Sequence, residues 1–94
     1  MQVVVRETKL AQKDLDKAPK RVLVHYEIWA RLIEEHGLSI LRHFKGYRDE
    51  KLRGHWQGYR ASRLNRQWRI IYQQLAGEIE VIEVCRVTPH DYRR

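Results

Sequence analysis

The chain holds one cysteine, Cys85, which excludes an internal disulfide framework and a zinc site built on several thiolates. Two prolines and five glycines are too few for a low-complexity linker. There is no Gly-rich phosphate loop, no His-Glu-x-x-His or Cys-x-x-Cys, and no serine in a nucleophile-elbow context. The five histidines, His25, His36, His43, His55 and His90, show no metal-ligand spacing. No apolar run approaches the roughly 20 residues that span a bilayer. The start, Met1-Gln2-Val3-Val4-Val5-Arg6, has neither the charge order nor the length of a signal peptide. These absences predict a soluble chain in a reducing compartment, most simply the cytoplasm, with no metal, no cofactor and no membrane partner.

What is present is apolar enough to fold and unevenly charged. A hydrophobic fraction of 43% is too high for a disordered tail, and 94 residues predict one domain, residues 1–94, with a small core. Lys and Arg total 19 against 12 Asp and Glu, a formal +7. Residues 1–41 are nearly neutral at +1 and residues 70–94 sum to −1, so residues 42–69 carry a net +7. A charge run is most often a solvated face. Here, however, Arg42, Lys45, Arg48, Lys51, Arg53, Arg60, Arg63, Arg66 and Arg69 are interleaved with His43, Phe44, Tyr47, His55, Trp56, Tyr59 and Trp68. Cations among stacking surfaces suit single-stranded RNA.

The pattern predicts β-α-α-β-β-β. Gln2-Val3-Val4-Val5 is β-branched and reads as a strand. Thr8 is the expected cap of a helix running to Lys17, and Ala18-Pro19 interrupts it. Pro19 suits the first turn of a second helix, whose apolar face is Val22, Tyr26, Trp29 and Ile33 and which Gly37 ends. Ser39 is then expected to cap a brief turn holding Ile40, Leu41 and Phe44. Three antiparallel strands follow, at residues 58–64, 67–74 and 78–84, joined by turns at Asn65-Arg66 and Ala76-Gly77. A phase slip at Ile82-Glu83-Val84 suggests a bulge, or a strand with partners on both faces. The first strand joins this sheet after the helical crossover, which puts two helices on one face of a small, mainly antiparallel, twisted sheet: an α+β fold.

Most singled-out side chains have a plain structural reading. Trp29 belongs to the core, His25 to packing or surface, and His36 to a helix end whose dipole it complements. Trp56 and Trp68 divide between packing and substrate, Tyr59 and Tyr72 read as sheet packing, and Cys85 as a small hydrophobe. Arg69, beside Trp68 in mid-strand, needs a cleft or a partner such as Glu80. The closing His90-Asp91-Tyr92 is most simply a tail, but it supplies two proton donors next to the basic sheet.

One ordered set of motifs is more specific. Lys51-Leu52-Arg53-Gly54, Gly58-Tyr59-Arg60 with Arg63-Leu64, Trp68-Arg69-Ile70-Ile71-Tyr72 and the closing His90-Asp91-Tyr92 together resemble the RelE/ParE superfamily of type II toxin–antitoxin toxins. The C-terminal histidine makes the chain most similar to its YafQ- and YoeB-like, ribosome-dependent mRNA endonucleases. The resemblance implies a RelE-like fold and a cognate antitoxin as partner, with the ribosome and an mRNA in its A site as target. It implies that Arg69 stabilises charge at the cleaved phosphate, that His90 and Tyr92 move protons, and that Glu50 occupies an acid/base position. Arg63 joins these as a catalytic candidate, standing where some members have a second histidine. Gln67 stands where some have an acid. Arg48, Lys51, Arg53, His55 and Arg60 are the expected RNA-binding residues. The ParE branch, which targets DNA gyrase and has no catalytic apparatus, is the alternative.

The chemistry such residues permit needs no protein nucleophile, because RNA supplies its 2′-hydroxyl. Two assignments stand. Glu50 serves as base with Arg69 and Arg60 or Arg63 as the electrostatic clamp and His90 or Tyr92 as acid. Alternatively, a positive field makes Glu50 a weak base, and His90 is the base with Tyr92 the acid.

Overall fold

A side-chain cap starts the first helix. In the computed structural model, which describes residues 2–89, Thr8 Oγ1 accepts the N–H of Ala11 at 3.1 Å and opens α1 (Lys9–Lys17). Strand β1 (Val3–Glu7) leads into it. Ala18 is extended, as a residue before proline must be. Pro19 sits at the cap of α2 (Lys20–His36), one position before the first turn expected from the sequence. Val22, Tyr26, Trp29 and Ile33 are the buried residues of α2, the face read from their spacing. Gly37 closes the helix at φ +89°, with its N–H on the Ile33 carbonyl at 2.7 Å. That backbone conformation is one that side chains with a Cβ rarely adopt.

The connection that follows departs from expectation. A 3₁₀ turn spans Leu38–His43 and starts straight after Gly37 with no side-chain cap, so Ser39 does not cap it. A second 3₁₀ turn covers Lys45–Tyr47 and ends at Arg48, which holds φ +44°. Neither turn is long enough to leave a periodicity in sequence.

Five strands form the sheet, in the order β1-β5-β4-β3-β2. They are β1, β2 (Glu50–Lys51), β3 (Arg60–Arg63), β4 (Trp68–Leu75) and β5 (Glu80–Pro89). The crossover strand β1 runs parallel to β5, and every other pairing is antiparallel. The α+β architecture is as expected with one strand more, β2, whose two residues pair with β3. The β3–β4 turn is an Asx turn: Asn65 Oδ1 accepts the N–H groups of Gln67 and Trp68 at 2.8 and 2.9 Å. Strand β5 runs five residues past its expected end at Val84, to Pro89. The bulge lies at Cys85: Ile71 faces Arg86 and Tyr72 faces Val84, leaving Cys85 unmatched. Burial accordingly moves from Ile82 and Val84 to Val87.

Both helices pack on one sheet face. Trp29, fully buried, donates its indole N–H to Ser62 Oγ at 2.9 Å and meets Tyr72 edge-on at 5.5 Å. Ile70, Tyr72, Ile82, Val84 and Val87 complete the core with Leu41 and Leu64. Acids cover the β1 edge and the end of β5 that extends beyond it. Glu34 accepts the Val5 N–H at 2.9 Å, and Asp14 accepts the Val87 N–H at 2.9 Å while pairing with Arg86. No helix among the described residues is long and apolar enough to cross a membrane.

Candidate active site on the sheet face away from the helices

Residues opposite one another in register share a face, and neighbours along a strand alternate. Ser62, Ile70 and Tyr72 therefore look toward the helices. The register pairs Glu50–Ala61, Ala61–Ile71 and Arg63–Arg69 put those five residues on the opposite face. Sequence separations of up to 21 residues thus collapse onto one small surface of β2, β3 and β4.

Arg69 is its centre. Only 9% exposed, the residue is flanked in register by Arg63 on β3 and Thr88 on β5. Its Nη2 lies 3.2 Å from Glu50 Oε2. Glu80, the partner considered from sequence, instead accepts a hydrogen bond from Gln74. Glu50 itself stands at the rim, its side chain 59% exposed. An ion pair so wetted contributes little to stability. Its chemical content is a guanidinium fixed in the sheet with an accessible carboxylate beside it. A second cation, Arg63, is alongside. That set can hold a phosphate and move a proton at its edge.

The expected RNA-binding residues do not all join this cluster. Lys51 and Arg60 pair across β2 and β3 on the helix-side face. With Leu52, Arg53, Gln57, Gly58, Tyr59 and Gln74 they line a broad open groove. Arg60 gives Nε and Nη2 to Asp49 Oδ2 at 3.1 and 2.6 Å. Burial pulls the Arg60 guanidinium down from its ordinary value, but the hydrogen bonds and charge of Asp49 outweigh it and the net direction is up. Arg53 is exposed, as is His55 on a short 3₁₀ turn, Gly54–Trp56. Arg48 is exposed on its left-handed turn. His90 and Tyr92 lie outside the described residues.

One residue passed unremarked in sequence. Asp49 accepts from Arg60 through Oδ2 and from the Tyr72 hydroxyl through Oδ1. Burial, and then Asp49, push the Tyr72 phenol well above its ordinary range. No local signal announces this, because Asp49, Arg60 and Tyr72 belong to different strands or loops. The aromatic residues divide toward packing: Trp68 lies against the core, and Trp56 is half-buried edge-on to Tyr59 at 5.3 Å. Cys85 is half-buried with its thiol pushed up by burial and by Glu83.

No protein-family model and no curated protein sequence matches the chain. Solved structures do. YafQ from Escherichia coli strain BL21(DE3) superposes with a TM-score of 0.73 at 21% identity, over 94% of this chain and 93% of that one. The YafQ fold in the E. coli DinJ–YafQ toxin–antitoxin complex gives 0.71 at 25% identity, over 96% and 94%. An archaeal RelE–RelB complex from Pyrococcus horikoshii gives 0.67 at 20% identity, over 99% and 100%. The chain therefore has the fold of the RelE/ParE superfamily. Its structural neighbours are YafQ, RelE and YoeB toxins of type II toxin–antitoxin systems.

Proposed function

We propose that the protein is the toxin of a type II toxin–antitoxin system and acts as a ribosome-dependent mRNA endonuclease without a metal. One observation carries the reading: a sheet-anchored Arg69 with Glu50 at 3.2 Å and Arg63 opposite it in register, on a fold shared with such toxins. RNA brings its own nucleophile. The 2′-hydroxyl loses a proton and its oxygen attacks the adjacent phosphorus. The bond to the 5′-oxygen breaks, that oxygen takes up a proton, and a 2′,3′-cyclic phosphate remains. Arg69 and Arg63 stabilise the charge that builds on the phosphoryl oxygens. Glu50 is positioned to accept the first proton, and His90 and Tyr92 supply acid/base groups from the C-terminal segment. Arg48, Arg53 and His55, exposed on the neighbouring turns, hold the RNA backbone near the reacting phosphate, whereas Lys51 faces the helix side with Arg60.

The partners follow from the same reading: an mRNA in the A site of the ribosome, in the cytoplasm, and a cognate antitoxin. DinJ and RelB occupy that role in the neighbouring complexes. The test is induction in a bacterial host, with primer extension on the mRNA of translating ribosomes. Growth arrest with cuts at A-site codons, lost in Arg69→Ala and His90→Ala, is the expected result. Undiminished arrest by both variants overturns it. So does trapping of gyrase–DNA cleavage complexes while translated mRNA stays intact, which establishes the ParE-like alternative.

A further inference from the structure

A two-residue strand at a sheet edge holds Glu50, the carboxylate that meets Arg69. Strand β2 pairs with β3 through Glu50–Ala61 and Lys51–Arg60, is extended by the Leu52 N–H on the Tyr59 carbonyl at 2.9 Å, and among the described residues borders no other strand. Edge pairing this short is weak by itself. Yet Glu50 must sit within 3.2 Å of Arg69, which lies two strands away. A second anchor reinforces this short pairing.

That anchor is on the other face of the sheet, one residue earlier. Asp49, its side chain 12% exposed, accepts two N–H groups of Arg60 on Oδ2, at 2.6 and 3.1 Å, and the hydroxyl of Tyr72 on Oδ1. Tyr72 is completely buried, and its ring packs edge-on to Trp29. Trp29 in turn donates to Ser62, whose hydroxyl also lies 3.5 Å from the Tyr47 carbonyl, two residues before Asp49. The chain is thus pinned to the helix-side core at the Tyr47 carbonyl and again at the Asp49 carboxylate. Side chains alternate along an extended backbone, so fixing Asp49 toward the helices fixes Glu50 away from them.

We propose that Asp49 is a positioning residue for Glu50: the Asp49–Arg60–Tyr72 cluster, on the helix side of the sheet, holds Glu50 against Arg69 on the far side. Arg60 then serves the site from behind the sheet rather than as an RNA contact. The inference depends on the proposed ribonuclease reading only for its activity measurement. Its geometric content stands separately.

The experiment is a double-mutant cycle on the full chain. Asp49→Asn keeps the shape and removes the charge, and Tyr72→Phe removes a single hydroxyl. With purified ribosomes and a defined mRNA, Asp49→Asn should lower kcat by about tenfold or more with KM within about twofold. In a Glu50→Gln background the same change should add no further loss, because its route runs through Glu50. An equal loss in both backgrounds means a purely structural role and overturns the proposal. Should Asp49→Asn fail to fold, Tyr72→Phe is read in the same cycle. A second measurement requires no activity: the NMR signal of the Arg69 side-chain Nε–H. Asp49→Asn and Tyr72→Phe should each displace it in the direction produced by Glu50→Gln. An Arg69 signal that follows Glu50→Gln but ignores both other variants overturns the positioning role. If the wild-type protein cuts no mRNA, the ribonuclease reading fails and this NMR result alone decides the inference.

Discussion

Arg69 on β4 reaches Glu50 on β2 by passing over β3, with Nη2 and Oε2 3.2 Å apart. The register explains the path. Glu50 lies opposite Ala61, Arg69 lies opposite Arg63, and Ala61 and Arg63 are next-but-one neighbours on the same face of β3. The contact is therefore diagonal, crossing β3 between Arg63 and Ala61, and Ala61 is completely buried. A long side chain spans two strand spacings only where the intervening position is small. The register of β2, β3 and β4 sets the path between the candidate base and the candidate phosphate-binding cation.

Arg69→Lys keeps the positive charge but loses the planar fork. Lysine offers a point charge, and it cannot give parallel hydrogen bonds to two phosphoryl oxygens. Cleavage of ribosome-bound mRNA should fall about 10²-fold, the order seen when one transition-state donor is removed. Circular dichroism should show the fold retained. A variant that cuts at the wild-type rate removes Arg69 from the chemistry.

Ala61→Leu tests the diagonal contact from below. The added carbons enter a site that has no exposed surface, and overpacking of that kind costs about 1–3 kcal/mol. They also stand in the path of the Arg69 side chain. We expect a lower urea midpoint together with loss of cleavage, while Ala61→Gly should keep the contact and much of the activity. Equal activity in the leucine variant is incompatible with a bridge across Ala61.

The parts of this fold that a reader of the sequence recovers are those governed by neighbouring residues. Thr8 caps α1 through a group three positions on, and Gly37 ends α2 through its own backbone freedom. The helical period places Val22, Tyr26, Trp29 and Ile33 on one buried face. Strands β3 and β4 are legible because Asn65 makes its turn locally. Strand β2 is not, since Glu50 and Lys51 have no propensity of their own and are extended only because β3 offers them an edge. The bulge falls at Cys85, beyond the visible slip, because what decides it is the match to Ile71 and Tyr72 across the sheet. The site behaves likewise. Glu50, Arg63 and Arg69 came from motif resemblance and do cluster, whereas the roles of Asp49 and of Arg60, charge-paired with it, depend on contacts that sequence spacing does not encode.

Asp14→Ala should destabilise the fold without touching the candidate site. Its carboxylate accepts the Val87 N–H at 2.9 Å where β5 has outrun β1, and it also holds Arg86 at 2.8 and 3.2 Å. That contact is the first cause of the raised Arg86 guanidinium. Removing it leaves a backbone donor of β5 without its partner, a loss of about 1–3 kcal/mol. Asp14→Asn retains an acceptor and should lose less. Urea melts of the three proteins give the ranking, and an alanine variant as stable as wild type contradicts it.

Alkaline pH should weaken the fold through Tyr26 and Tyr72. Burial first, then a hydrogen bond to Glu7 for Tyr26 and to Asp49 for Tyr72, pushes both phenols far above their ordinary value of 10.0. In the unfolded chain they ionise near that ordinary value, so above it the folded state holds more protons than the unfolded state. The slope of stability with pH is then negative. Their contribution is fully present below about pH 10 and declines as pH rises beyond it, by up to about 1.4 kcal/mol per pH unit for each tyrosine. Cys85, also pushed up by burial, adds to the same direction from a lower starting point. Urea midpoints measured at intervals from about pH 8 to pH 11 should stay level and then drop. Tyr26→Phe and Tyr72→Phe should each shallow the drop, since phenylalanine has no proton to lose. If the two variants lose stability as steeply as wild type across that interval, the buried phenols are not its source.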